Sequence, residues 1–409
     1  MKENEYTKEE QEKKAAAQAV IDEYDDEDDE YEEIDEGSNS TLSKDQLTKV
    51  MFIAIGAVVV VFLIIIMVLA LANRSYSYED IETIMAQAAE SYFNKHPESL
   101  PQGNSSVEIS AAELSNAGEM KPLEKYLPEG VECSGSVNVQ KSAGGYLYTP
   151  KLDCGEKYAT IELYRKILED NKTVSSGYGL YNKAGNRVFR GEVVNNYLQL
   201  DKTIWRILRI TSSGEMVIIT EGYEANSLAW DDRYNQTVEY QSGINNYSTS
   251  RIKESLLHLY SLPEDSEEAE IFLSDADKTK LVSFDLFTGK RGADEVGSDN
   301  TVERAQLTKG QMIGLATVSD YMAASTDINC QTAASDSCQN YNYLVNGEEW
   351  WTVTAIKENT YQAYTVDTDG DIEVKNVNNY ANLRPVVHLS ERVLFKGGDG
   401  SINNPYTIK

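Results

Sequence analysis

The longest apolar run of the chain covers residues 50–72, with the sequence VMFIAIGAVVVVFLIIIMVLALA. It contains no charged residue, no Asn, no Gln and no Pro. As a helix it would extend about 34 Å, at about 1.5 Å per residue, and that length crosses a bilayer. The alternative is a buried core helix, but a run that is apolar on every side leaves no polar face for a soluble protein. The pattern therefore predicts a single transmembrane helix at residues 49–73. It starts too late for a cleaved signal peptide and would act as a signal anchor.

The charges beside this run predict its orientation. Lys44 and Lys49 precede it, and Arg74 follows it closely, so the positive-inside rule places the N-terminus in the cytoplasm. All cysteines follow the run, in two local pairs, as expected where thiols are oxidised: they are Cys133, Cys154, Cys330 and Cys338. We therefore expect a single-pass protein of the cell membrane whose C-terminal part is extracellular.

Residues 1–48 form a strongly acidic segment. Residues 1–49 contain 6 Lys and 18 Asp or Glu, so that 6 − 18 gives −12 of the total net charge of −30. So charged a segment is predicted to be disordered. It is either a solvated cytoplasmic tail or a docking segment for a basic cytoplasmic partner. The acidic balance of the whole chain excludes nucleic-acid binding, which needs clusters of Lys and Arg.

Residues 74–175 are predicted to form a small α+β domain. Ser77 and Asp80 have the spacing of a capping box that begins a helix, and apolar residues then recur at helical spacing. A second box, Ser110 with Glu113, begins a short helix that Gly118 ends.

Two strand-like runs, 136–140 and 146–152, flank a Gly-Gly turn in the same domain. Cys133 and Cys154 are nearly equidistant from the centre of that turn. A hairpin in simple register would bring them within disulfide range. A metal site is the alternative for four cysteines, but the chain has no CxxC pair and only 3 His. We therefore expect a disulfide and no metal.

Residues 176–409 are predicted to form a β-rich domain with inserted helices. The runs 203–211 and 215–220 flank a Ser-Ser-Gly turn and predict a hairpin. Apolar residues at helical spacing predict a helix at 251–260. Three further strands are expected at 350–356, 361–366 and 372–377. The order of these elements indicates an α+β fold.

Two motifs suggest chemistry and are better explained by structure. The alternating carboxylates of residues 367–371 suit a calcium ligand set, but the Gly and Glu positions of an EF-hand loop are not matched, which favours a hairpin turn. His96, His258 and His388 lack the surroundings of a catalytic base. With no glycine-rich loop for a phosphate, we expect no catalytic residues and no cofactor.

Tryptophan residues are the candidates for ligand binding. Trp230, Trp350 and Trp351 either fill a core or belong to a surface on which a sugar stacks. Adjacent side chains of a strand point to opposite faces, so we expect at most one of Trp350 and Trp351 inside a single core. The other would pack on a loop or face a ligand.

The second half of the chain resembles the uncharacterised surface domains of low-GC Gram-positive bacteria. The segments that carry this resemblance are 190–197 (RGEVVNNY), 204–210 (IWRILRI), 319–325 (SDYMAAS), 341–344 (YNYL), 350–353 (WWTV), 383–389 (LRPVVHL) and 397–406 (GGDGSINNPY). It implies a fold similar to the C-type-lectin-like fold of sulfatase-modifying proteins, and a disulfide between Cys330 and Cys338 in an exposed loop. It implies no transferable activity, because the related formylglycine-generating enzymes use copper-binding cysteines that are not matched here.

The sequence thus predicts a membrane-anchored cell-surface protein with a non-catalytic ligand-binding or adhesion ectodomain, whose ligand is a surface glycan or another protein. The alternative is a sensor or envelope-assembly factor that couples this ectodomain to a cytoplasmic partner through the acidic tail. A third hypothesis is an enzyme with an unrecognised site.

Overall fold

The structure is a computed structural model that describes residues 76–103, 105–142, 144–222, 225–236, 243–263 and 273–409. All of them belong to one compact unit, Ser75–Lys409. The acidic segment 1–48 and the apolar run 50–72 lie outside the described residues, and so do the predictions made for them.

The predicted fold class requires one correction, which concerns the transmembrane helix. Among the described residues, no helix is both long enough and apolar enough to cross a membrane. The longest of them, Tyr78–Lys95, is amphipathic: Ile81 and Met85 are buried, whereas Glu79 and Glu90 are exposed. The architecture that the structure shows is a mixed α+β fold with a β-rich domain and two disulfides.

The described α-helices are mostly short. In chain order they are α1 (Tyr78–Lys95), α2 (Ala111–Asn116), α3 (Leu163–Asp170), α4 (Arg251–Ser261), α5 (Asp275–Lys278) and α6 (Val318–Ala324).

The described strands pair mainly in an antiparallel manner. In chain order they are β1 (Ser106–Ser110), β2 (Ser134–Ser142), β3 (Gly145–Asp153), β4 (Gly179–Lys183), β5 (Asn186–Arg190), β6 (Tyr197–Leu200), β7 (Thr203–Ile210), β8 (Met216–Thr220), β9 (Ala225–Ala229), β10 (Phe284–Phe287), β11 (Leu307–Gln311), β12 (Gly314–Leu315), β13 (Trp350–Ala355), β14 (Gln362–Val366), β15 (Ile372–Asn376), β16 (Tyr380–Leu383), β17 (Pro385–Leu389), β18 (Phe395–Gly397) and β19 (Tyr406–Ile408).

The small domain places α1 against the sheet β1-β2-β3. Both predicted capping boxes are confirmed: Ser77 caps α1 together with Asp80, and Ser110 caps α2 together with Glu113. The side chains of α1 pack with those of β2 and β3 in a core of their own, which is separate from that of the large domain.

The β2-β3 hairpin has the register expected from its cysteines. Ser142 pairs with Gly145 at the turn, and Ser134 pairs with Asp153 at the open end. Cys133 and Cys154 continue this register, with their Cα atoms 4.2 Å apart, and form a disulfide. The prediction of this crosslink is confirmed.

The large domain contains a nine-stranded sheet in which β12, β17, β8, β7, β6, β19 and β18 follow one another and β5 joins β4 to β7. The predicted hairpin of β7 and β8 lies at its centre. Every residue of β8 is buried, which explains its continuous apolar sequence, MVIIT.

A second, five-stranded sheet has the order β15-β14-β13-β16-β9. Its central strand, β13, is buried along its whole length, so Trp350 and Trp351 are both 0 % exposed. The expectation that at most one of them would lie inside a single core is wrong, because β13 is covered on both faces and both rings belong to the same core. On one face Tyr321 packs edge-on against Trp350, and on the other the Trp351 Nε1–H donates to the Leu228 carbonyl, at 2.8 Å.

Candidate functional site

The three tryptophans predicted to bind a ligand are all buried. Trp350 and Trp351 are packed within the second sheet, where neither ring has exposed surface. Trp230 is also fully buried, but it forms part of the wall of a cavity. The structure therefore separates Trp230 from the other two and makes the surroundings of its ring the place to look for a site.

This cavity, which we call the Lys290 cavity, has a volume of about 160 Å³. It lies between β13, the end of β9, the short 3₁₀ helix Tyr247–Thr249 and the segments that extend the β10-β11 hairpin. Its lining residues are Trp230, Asn245, Asn246, Tyr247, Thr288, Lys290, Gln306, Val353 and Ala355.

The inner wall of the cavity is aromatic. The rings of Trp230 and Tyr247 meet edge to face, with their centroids 6.1 Å apart. The Trp230 Nε1–H donates to the Thr352 carbonyl at 3.1 Å, which fixes the ring. The Tyr247 hydroxyl is buried and has no hydrogen-bond partner among the described residues. Burial raises the pKa of Tyr247, so at neutral pH it presents an O–H donor that lacks an acceptor.

The charged group of the cavity is the ammonium of Lys290. It donates to the Asn245 Oδ1 at 2.6 Å. Burial lowers the pKa of Lys290, and no carboxylate of the described residues forms an ion pair that would offset this effect. A half-buried cation without a counter-charge is costly, and an anion placed beside it would remove that cost.

The buried carboxylate of Glu303 follows Lys290 in the chain, and it is engaged elsewhere. Glu303 Oε1 accepts from the Nε–H of Arg291, the residue next to Lys290, at 2.9 Å. Its second oxygen accepts from the hydroxyl of Ser319 at 2.7 Å. Arg291 is therefore neutralised by Glu303 within the fold, whereas the ammonium of Lys290 lines the cavity.

Asn245 is held in place by the backbone around it. Its Nδ2 donates to the carbonyls of Ile356, Asn359 and Gln362, at 3.2, 3.0 and 2.8 Å. Its Oδ1 is consequently the atom that faces Lys290. This arrangement fixes the ammonium at the cavity wall.

Asp231 fixes the segment that carries Asn245 and Tyr247. This buried carboxylate accepts from the backbone N–H of Ile244 at 2.8 Å and from that of Arg251 at 3.3 Å. Arg233 neutralises it, with an Nε–Oδ1 distance of 2.7 Å. The Asp231 side chain thus holds both ends of the segment that carries Asn245 and Tyr247.

The cavity combines the Lys290 cation, an aromatic wall and the Tyr247 hydroxyl, which has no acceptor among the described residues. Gln306 and Asn246 are its exposed lining residues. A cavity of about 150 Å³ in another protein binds benzene, so this volume fits a ligand portion of about one six-membered ring. The Lys290 ammonium has donor capacity beyond its bond to Asn245, and the Tyr247 hydroxyl has no acceptor among the described residues. The arrangement favours a small group that carries a carboxylate or another anion.

The remaining predicted features have structural roles. Asp367 closes the turn between β14 and β15, where its Oδ1 accepts from the backbone N–H of Asp369 and of Asp371. Among the described residues, no group of three or more His, Cys, Asp or Glu is arranged to hold a metal ion.

Cys330 and Cys338 form the second disulfide. His388 is buried and stacks on Phe284, with the ring centroids 3.8 Å apart.

The sequence analysis missed Lys290, Asn245 and Tyr247. Each is a common residue type in a segment without a motif, and the three come together only through the packing of distant segments on β13. Of the residues that line the cavity, the sequence singles out Trp230 alone.

In comparisons with protein-family models, with curated proteins and with solved structures, no significant match to this chain was found. Functional inference therefore depends on the chemistry of the site itself.

Proposed function

We propose that the part of the chain after residue 75 works outside the cytoplasm, and that its large domain is a non-catalytic ligand-binding domain. Its ligand carries an anionic group, and the carboxylate of an acidic sugar in a surface glycan is the class we favour. The observation that supports this proposal is the Lys290 ammonium, which lines a ring-sized cavity and forms no ion pair with a carboxylate of the described residues.

Two further observations support the proposal. Both disulfides are typical of an oxidising compartment. The resemblance to C-type-lectin-like surface domains agrees with a glycan ligand and is itself part of the proposal.

A glycan array tests the function with the full-length chain. Acidic oligosaccharides are compared with neutral ones of the same linkage, for the native chain and for Lys290→Met. Lys309→Met is the matched control, because Lys309 is exposed on β11 and lies outside the cavity. We expect binding of acidic sugars that Lys290→Met weakens by about tenfold or more and that Lys309→Met preserves. Equal binding by the native chain and Lys290→Met would refute the role of the cavity.

The location is tested separately by the state of the cysteines. Protein isolated from its native cells in the presence of a thiol-alkylating reagent should have all four sulfurs in disulfides. Mass spectrometry that finds the sulfurs alkylated would contradict a site of action outside the cytoplasm.

A further inference from the structure

Two tyrosine rings that do not line the Lys290 cavity meet on the surface of the large domain. Tyr178 is 40 % exposed and Tyr341 is 54 % exposed. Their ring centroids lie 6.1 Å apart, and the ring planes are inclined by 41°. We call them the tyrosine pair. Large aromatic rings are usually covered in a folded protein, so two adjacent exposed rings call for an explanation.

The backbone of Tyr341 is strained. Its φ is +50°, in the left-handed region that a bulky side chain rarely adopts. Such conformations persist only where the surroundings enforce them, and they concentrate at functional sites. A glycine would adopt this φ without strain, but it would not supply the ring.

Both neighbours of Tyr341 enforce this conformation. The Asn340 Nδ2 donates to Asp327 Oδ2 at 2.9 Å. The Asn342 Nδ2 donates to the carbonyls of Tyr321 and Cys338, at 3.0 and 2.9 Å. Cys338 is in turn tied to Cys330 by the disulfide. The fold thus holds the Tyr341 ring outward from a rigid base.

Gly191 links the second ring to the same base. A Cβ at this position would lie 2.5 Å from the Cδ1 of Tyr178, so only glycine leaves room for that ring. Its N–H donates to the Ala324 carbonyl at 2.8 Å, and it forms a β-bridge with Asn342, the residue that follows Tyr341. Two unusual backbone positions, Gly191 and Tyr341, therefore place the two rings side by side.

We propose that the tyrosine pair is a stacking surface for the pyranose ring of a neutral sugar. The apolar face of a pyranose packs on an aromatic ring, and the surrounding hydroxyls find polar partners at the ring edges. Rigid rings lose little conformational entropy on binding, which favours a small ligand that makes few contacts. A protein partner would need a continuous patch of about 800 Å² on this side, and the two rings alone do not provide it.

The charge around the pair selects a neutral sugar. Burial of its hydroxyl raises the pKa of Tyr178, and the nearby carboxylate of Glu192 adds to this rise. An acidic sugar would be repelled by this carboxylate, in contrast to the anionic ligand proposed for the Lys290 cavity. The inference goes beyond the proposed function and does not depend on it.

The test uses the full-length chain and tetrasaccharides of glucose, galactose and N-acetylglucosamine. Binding is followed by saturation-transfer NMR and by the intrinsic fluorescence of tyrosine and tryptophan. The variants are Tyr341→Gly, which removes the ring and relieves the strain, and Tyr178→Ala. Tyr380→Ala is the control, because Tyr380 is as exposed as these residues but lies on β16.

We expect at least one tetrasaccharide to bind the native chain. Tyr341→Gly and Tyr178→Ala should each weaken that binding by about tenfold. Tyr341→Gly should do so with an unchanged or higher Tm, which separates loss of binding from loss of folding. Tyr380→Ala should bind as the native chain does.

Two results would overturn the inference. They are the absence of binding by any of the tetrasaccharides, and equal binding by Tyr341→Gly and the native chain. The Lys290→Met variant distinguishes the two proposals, since it should leave neutral-sugar binding intact.

Discussion

Arg291 and Glu303 form an ion pair with an Nε–Oε1 distance of 2.9 Å, and both side chains are 0 % exposed. Ser319 and the carbonyls of Glu295 and Gly297 complete the hydrogen bonds of the guanidinium. A buried pair of this kind stabilises the fold little over an apolar pair, but it makes either partner indispensable to the other.

We therefore expect Glu303→Ala to lower the free energy of unfolding by about 3–5 kcal/mol, because it leaves a buried guanidinium uncompensated. Urea unfolding followed by tryptophan fluorescence measures this change. Glu373→Ala is the control, because Glu373 is exposed on β15 and its removal should change the stability by less than about 0.5 kcal/mol. A loss below about 1 kcal/mol for Glu303→Ala would show that the pair is solvated.

The pair of Glu82 and Lys409 joins α1 to the segment after β19. Glu82 is 1 % exposed and accepts from the hydroxyls of Tyr158 and Thr160 as well as from the Lys409 ammonium. Lys409→Met should cost about 2 kcal/mol, less than the loss for a fully buried pair, because Lys409 remains partly exposed. Differential scanning calorimetry checks this value, and no change in Tm would contradict it.

Opening the Cys133–Cys154 disulfide should destabilise the small domain. The bridge spans a sequence separation of 21 residues, for which chain entropy predicts a loss of about 3 kcal/mol. The double variant Cys133→Ser, Cys154→Ser is compared with the native chain by urea unfolding, with circular dichroism as the probe. Equal stability of the two chains would mean that the hairpin register alone holds the open end of β2 and β3.

His388 should make stability depend on pH. Burial lowers the pKa of His388, although its hydrogen bond with Glu215 acts in the opposite direction. Between the lowered folded pKa and the unfolded value of about 6.5, the unfolded chain binds more protons. The contribution of His388 is therefore complete above that unfolded value and is lost as the pH falls towards the folded one.

The slope from this residue is at most about 1.4 kcal/mol per pH unit. Urea unfolding at a series of pH values below neutrality should show a smaller slope for His388→Phe than for the native chain. His96→Gln is the control, because His96 is largely exposed. Identical slopes for the native chain and His388→Phe would contradict the prediction.

The elements that sequence reasoning placed correctly are those set by short-range chemistry. Ser77 and Ser110 begin helices because their hydroxyls satisfy N–H groups three residues later. The hairpin of β2 and β3 follows from its turn, and its register fixes the Cys133–Cys154 pair. Such signals depend only on neighbours along the chain.

The features that sequence reasoning did not predict depend on how strands and loops pack on one another, and no local pattern encodes that packing. Alternation along β13 predicts that Trp350 and Trp351 face opposite sides, but it does not reveal that both sides are covered. In the same way, Lys290 and Tyr247 are 43 positions apart (290 − 247), and their meeting at one cavity depends on how β9, β10 and β13 pack.

The side chains of α1, β2 and β3 form a core that shares no buried residue with the core of β7 and β8. One core can therefore unfold locally while the other stays folded. Amide protons of β2 and β3 would then exchange with solvent in an opening event that leaves those of β7 and β8 protected. Hydrogen exchange would thus report two cooperative units within a single folded chain.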